Sequence, residues 1–411
     1  MAYEEARKKV RQFELSENSR GESDKIIEEA LGDNSAAWVL IGGPPCQAYS
    51  LAGRSRRTND VEFENDHKHF LYREYLHIIQ RFKPAIYVME NVKGLLSATN
   101  GGSKMFELIR GDLTNPAEDL NYTLHSMVVE AGPEGPGAQD FVIRAEDYGI
   151  PQKRHRVIIV GVRADLDLGA PSVLEKSQPV TVSEAIGNLP KIRSSVSRTV
   201  DHDGQLWADV RRSIRDIGKK SILRDSLTAI FSSKLESSSL SQAAAPGDEI
   251  MSNVSAKTYH EWISDRAGAA TLQHEARSHM IEDLERYYLL SSLAKSLGDS
   301  PKVRQLPRNF WPNHKNMDSA SMPFEDRFRV QVWDKPSSTI VSHIAKDGHY
   351  YIHPDPNQMR SLTVREAARL QTFPDNYVFV GNRTQQYTQV GNAVPPLLAY
   401  KIGQAVAKML S

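Results

Sequence analysis

The chain has 411 residues, 40% of them hydrophobic and 25% charged, which supports one large domain or two ordinary ones. Lys plus Arg and Asp plus Glu are 51 each, so net charge points to no class of partner. Any nucleic-acid surface must come from local runs such as "GRSRR" (53–57), "QKRHR" (152–156) and "RRSIRDIGKK" (211–220), and a single basic run is ordinarily a solvated face. One cysteine, Cys46, excludes an internal disulfide framework, argues against a zinc–thiolate cluster and fits a reducing cytoplasm. No apolar run reaches the roughly 18 residues of a membrane-spanning helix, and the first residues lack the apolar core of a secretory signal.

In chain order, "DKIIEEAL" (24–31) is predicted as a helix with Asp24 as its N-cap and Gly32 as its stop. "WVLI" (38–41) reads as a short buried strand running into a glycine–proline turn. "FLYREYLHIIQRF" (70–82) has helical spacing, and "AIYVME" (85–90) is strand-like. Strand, helix and strand in that order imply a βαβ unit in a parallel sheet, with functional groups at the carboxyl ends of the strands. Cys46 and Glu90 both fall just past such ends. "DFVIRAEDYGIPQKRHRVIIVGVR" (140–163) gives two more strands around a polar turn. Residues 171–325 are weakly patterned, with a serine-rich stretch (231–242) and one long helix expected over 271–297. Regular pattern returns at 326–333, and helices are expected over 363–373 and after Pro396.

Four side chains carry the candidate chemistry. A lone cysteine is ordinarily a small buried hydrophobe, but Cys46 follows "GGPP", a rigid turn that core packing does not obviously require. Glu90 ends an otherwise uncharged run. Its plain reading is a helix-capping carboxylate, and in an apolar setting its carboxyl would hold a proton near neutral pH. Arg154 and Arg156 lie two apart, so an extended segment points them to one face, whether as a solvated basic strand or as a site for an anionic ligand.

Together, "GGPPCQAYS" (42–50), "ENVKG" (90–94), "QKRHR" (152–156), "RSLTVREAARLQTFPD" (360–375) and "QVGNAVPP" (389–396) resemble, in the same order, the blocks of the DNA cytosine-5 methyltransferases. The resemblance implies a doubly wound, Rossmann-like α/β methyltransferase sheet with a second, smaller DNA-recognition domain. It divides the chain into a catalytic part (1–170), a target-recognition part (171–375) and a return to the catalytic part (376–411). It implies Cys46, Glu90, Arg154 and Arg156 as the catalytic set. Cys46 would attack carbon 6 of cytosine, Glu90 would protonate ring nitrogen 3, and Arg156 would contact the carbonyl oxygen. Gln152 and Arg154 would hold the strand and nearby backbone. Gln47, Ser50, Asn91 and Gln152 are the implied substrate-binding residues, and Pro44, Gly391, Asn392 and Val394 the implied cofactor-binding residues. The implied methyl donor is S-adenosylmethionine, the partner double-stranded DNA, and the setting a bacterial restriction-modification or related system at the nucleoid. Residues 51–66, with Arg54, Arg56 and Arg57, match the family's loop over a flipped base.

The resemblance also has a gap. The family's glycine-rich cofactor turn should lie well upstream of "PPCQ", yet residues 1–41 contain only Gly21 and Gly32 and no GxG. The sheet is therefore expected to be incomplete on its N-terminal side, with an N-terminal partner chain as one source of the missing block. A DNA-binding remnant without catalysis is the alternative. A tRNA methyltransferase is disfavoured, because that branch has a short variable region.

Overall fold

The computed structural model describes residues 9–32, 37–44, 72–100, 103–130, 132–198, 204–220, 254–264, 271–313 and 326–411. Cys46, Gln47 and Ser50, the 51–66 loop and the serine-rich stretch lie outside the described residues. The chain forms two compact units. One comprises residues 1–144, 155–175 and 401–411, the other residues 145–154 and 176–400. The second therefore takes in the 145–154 segment, and the return to the first falls at 401 rather than 376.

The first unit is built on a mixed five-stranded sheet. Strand β1 (Val39–Gly42) pairs in parallel with β2 (Ile86–Val92). Between them runs helix α2 (Tyr72–Phe82), which follows α1 (Arg20–Leu31), so the expected βαβ unit is present. The rest of the sheet is antiparallel. Strands β3 (Tyr122–His125) and β4 (Val142–Arg144) and the long β6 (His155–Arg163) follow, with β6 pairing against β2, β3 and β4. The alternation along β2 and β6 sets which side chains face the core. Tyr87, Met89, Val157 and Ile159 go inward onto Tyr75, Ile79, Phe106 and Phe141, and burial on both faces is what near-continuous apolar strands require.

Helix α1 begins four residues before the expected start, and its expected cap, Asp24, lies inside it. The residue is acidic there because of α2. Asp24 pairs with His77 at 3.0 Å and Arg81 at 3.0 Å, while Arg20 grips Glu74 with two bonds of 2.9 Å. Gly32 does end the helix, at φ 58°, where any side chain would be strained.

In the second unit, the two-residue strand β5 (Gln152–Lys153) pairs in parallel with β7 (Ser337–Ser338). The long helix begins at Ile281, ten residues later than expected, and ends at Leu297. Its apolar residues occur nearly all round, and Leu284, Tyr287, Tyr288 and Leu290 are buried against Trp207, Phe310 and Phe328, as expected of an internal helix. A second cluster gathers Tyr259, Ile340, Tyr351 and Tyr387 around the short helix Val364–Leu370.

That short helix is held by charge. Thr363 and Glu366 form a capping box, with Thr363 N donating to Glu366 Oε2 at 2.7 Å. The same carboxylate receives two bonds from Arg360, of 2.6 and 2.7 Å. Burial opposes the charge on Glu366, but Arg360 outweighs it and holds the carboxyl well below its usual range. Truncating Glu366 to Ala would leave Arg360 buried and unpaired, a change that costs about 3–5 kcal/mol.

Five histidines among the described residues of this unit, His260, His274, His279, His349 and His353, have their pKa lowered, chiefly by burial. Hydrogen bonds hold several of the neutral rings: His279 meets Ser194 Oγ at 2.8 Å and His349 meets Tyr287 Oη at 2.7 Å. Because the unfolded chain takes up these protons first, near pH 6.5, stability is full above that pH and falls below it. Urea unfolding at pH 7.5 and pH 5.5 should therefore give a clearly lower midpoint at pH 5.5. An equal or higher midpoint would show that these rings are not neutral in the fold.

Candidate active site

The register of β2 and β6 places the first functional pair. Arg156 lies opposite Val92, two residues beyond Glu90. A two-residue offset returns a side chain to the same face, so Glu90 and Arg156 are diagonal neighbours. Arg156 Nε reaches Glu90 Oε1 at 2.8 Å, with the two side chains 13% and 22% exposed, and Arg156 Nη1 also donates to the carbonyl of His155 at 2.9 Å. Burial pulls the Arg156 pKa down, with Glu90 acting against it. The apolar setting expected for Glu90 is thus corrected: its immediate neighbour is a guanidinium.

The glycine–proline turn is bound to the same strand end. Asn91, buried, donates from Nδ2 to the carbonyl of Pro44 at 3.3 Å, and its Oδ1 accepts from Val92 N at 2.9 Å. A Cβ on Gly43 would stand 3.1 Å from Glu90 Oε2, and one on Gly42 would stand 2.5 Å from the Tyr75 ring. Packing therefore does require this turn, contrary to the sequence-based expectation. Its last described residue, Pro44, precedes Cys46 by two positions. Asn91 holds the turn through these two bonds, and Pro44 is buried with its carbonyl bonded.

In the second unit, Gln152 is fully buried. Its Nε2 donates to the carbonyl of Leu370 at 3.0 Å and to the Gln371 side-chain oxygen, and its Oε1 accepts from Ile340 N at 3.0 Å. Gln371, equally buried, donates to the carbonyls of Val390 at 2.9 Å and Ala393 at 2.6 Å. Arg154 donates to the carbonyl of Ile340 at 2.9 Å and, more weakly, to that of Gly391 at 3.4 Å. In this structure Gln152 and Arg154 spend their polar groups on neighbouring backbone and on Gln371, and so hold these segments in place. The extended segment expected to align Arg154 with Arg156 is interrupted between β5 and β6.

Gly391 is buried, and a methyl group there would overlap the backbone of Val341 and Ser342. Packing alone explains it. Asn392 is exposed and Val394 half-buried, so of the expected cofactor residues these two present side chains that a ligand could reach. Gln371, Glu366 and the Arg369–Asp375 pair, at 2.6 Å, were not singled out from the sequence. The one readable signal was "TVRE" (363–366), a capping-box pattern. Among the described residues no group of three or more side chains could hold a metal ion, and no helix is long and apolar enough to cross a membrane.

The mixed sheet, with the half-buried acid–guanidinium pair near its strand ends, has a Rossmann-like methyltransferase fold. Among solved structures it matches a protein described as a DNA modification methyltransferase encoded within an Escherichia coli prophage, with a TM-score of 0.51 at 19% identity, covering 94% of this chain and 83% of that one. The model of C-5 cytosine-specific DNA methylases matches residues 3–408. The chain belongs to that family. It is 34% identical over 396 residues to the type II methyltransferase M.Bpa9945I of Bacillus paralicheniformis, covering 94% of this chain and 74% of that protein. It is also 28% identical over 418 residues to the type II methyltransferase M.AgeI of Thalassovita gelatinovora, covering 94% and 87%.

Gly391→Ala should cost about 1–3 kcal/mol through overpacking. Gly403→Ala, at an exposed helical position with nothing within 4 Å, should be neutral or stabilising by up to about 1 kcal/mol. Thermal unfolding of the two variants checks the contrast. Equal stability would mean that the 391 backbone contact is not tight.

Proposed function

We propose that this chain is a type II modification enzyme that methylates carbon 5 of cytosine in duplex DNA through a covalent cysteine adduct. The observation that carries the reading is the Glu90–Arg156 pair at 2.8 Å, beside a turn that Asn91 and Gly43 fasten to the same strand end. Carbon 5 is a weak nucleophile in the intact ring. Addition of the Cys46 thiolate to carbon 6 breaks the aromaticity and turns carbon 5 into an enamine-like nucleophile. A proton from Glu90 to nitrogen 3 favours that addition, while Arg156 donates to the carbonyl oxygen. S-Adenosylmethionine, the donor generally used by methyltransferases, supplies the methyl group when bound. Loss of the carbon 5 proton then expels Cys46 and restores the ring. The base must leave the stack first, at a cost of a few kcal/mol. The second unit, with the weakly patterned region, is assigned to reading the DNA sequence.

In the active enzyme, Cys46→Ala should abolish methyl transfer while duplex binding persists, and DNA carrying 5-fluorocytosine should trap the wild type covalently. Glu90→Gln should lose about 10²-fold or more in single-turnover rate, the usual scale for a lost general acid. Turnover by the alanine variant would end the covalent reading, and an unchanged rate for Glu90→Gln would leave Glu90 a structural partner of Arg156.

A second reading, in which this chain binds DNA but needs another segment or subunit to hold the cofactor, rests on the outer edge of β1. Among the described residues β1 has a neighbour on one side only, and Ile41 on that edge is 75% exposed. An open apolar edge invites a further strand. On this reading, calorimetry of the chain alone with S-adenosylmethionine should show weak or no binding. A fragment carrying a glycine-rich turn should restore it. Tight binding and robust methylation by the chain alone would remove the second reading.

A further inference from the structure

Strand β5 carries two adjacent residues with opposite fates. Gln152 is fully buried, while Lys153 is exposed, as alternation along a strand dictates. Lys153 faces a cleft of about 410 Å³ within the second unit, which it shares with Lys302, Arg329 and Lys335. The acidic groups lining it are Asp299 and Asp326, so four cations meet two anions. The pairings of Lys335 and Arg329 with these carboxylates are long. Lys335 stands 3.6 Å from Asp299 and Arg329 stands 3.5 Å from Asp326, with all four side chains more than 40% exposed. Exposed pairs of this kind are weak, so either cation can turn to a stronger anion without a large loss.

The walls are firm. Ser337 N donates to the carbonyl of Pro151 at 3.0 Å, and Thr339 Oγ1 donates to that of Lys153 at 2.6 Å. Phe328, buried and stacked on His349 with ring centroids 4.3 Å apart, forms an apolar side. A cationic cleft with an apolar wall suits a phosphodiester and its sugar. It is too small for a helix or a folded partner.

We infer that this cleft holds backbone phosphate of duplex DNA, with Lys153, Arg329 and Lys335 as the contacting cations. The inference rests on the DNA reading above and adds a phosphate contact two residues before His155, where the chain enters the strand bearing Arg156. Such contacts fix register rather than sequence.

The test is fluorescence anisotropy of the full chain with a random-sequence DNA duplex between 50 and 200 mM salt. Each phosphate contact contributes about 0.9 to the slope of log affinity against log salt. Lys153→Gln/Lys335→Gln should lower that slope by about 2 and weaken binding most at low salt. Asp326→Asn should strengthen binding, a gain that misfolding cannot imitate. If the wild type binds with a salt-dependent affinity and neither variant changes affinity or slope, the cleft assignment is wrong while the DNA reading stands. If the wild type binds no duplex at all, both fall together.

Discussion

The second unit depends on one buried amide contact, between Gln152 and Gln371. Neither side chain reaches water, so each polar atom left without a partner would cost about 1–3 kcal/mol. The bonds they make instead go to Ile340, Leu370, Val390 and Ala393. Three backbone segments, around residues 340, 370 and 390–393, are thereby tied to β5. Arg154 then adds bonds to Ile340 and Gly391, and Gly391 can approach that backbone because it has no side chain. From Arg154 the chain runs directly into β6.

At the other end of that strand junction the geometry suits an aromatic amide. The carbonyl oxygen and nitrogen 3 of cytosine lie on one edge of the ring, separated by one carbon. A guanidinium and a carboxyl 2.8 Å apart can address both from one side. Asn91 does not compete for that edge, since its amide is used on Pro44 and Val92. On the proposed reading the "ENV" block divides its work: Glu90 addresses the ring, while Asn91 holds the glycine–proline turn.

The parallel β1–β2 pair, helix α2 and the long β6 were legible in the sequence, because each is a local apolar pattern of the right period. The antiparallel direction of β6 was not, since residue alternation is the same for either direction. Asp24 was misread as a cap because its true partners, His77 and Arg81, lie more than fifty residues away. The same limit hid the division of labour within "QKRHR". Periodicity made Arg154 and Arg156 equivalent, whereas the fold breaks the strand between them and gives Arg154 to backbone carbonyls. The glycines of "GGPP" read as rigid turn chemistry, and only the positions of Tyr75 and Glu90 show that space also selects them.

The same reasoning explains why the second unit buries so much charge. Arg360, Arg365 and Glu366 are almost wholly inaccessible, and an apolar replacement of similar volume often stabilises such a site. Greasy contacts, however, are tolerant of register, and around the Val364–Leu370 helix the core is drawn from short elements and isolated bridges rather than a continuous sheet. A bidentate Arg360–Glu366 pair accepts one geometry. So do the three carbonyls gripped by Arg365, those of Leu272, Pro374 and Tyr377. Where little regular secondary structure exists to set the alignment of the chain, directional bonds from buried charges can set it. The "RSLTVREAARLQTFPD" block, through Arg360, Arg365 and Glu366, therefore fixes the alignment of this unit.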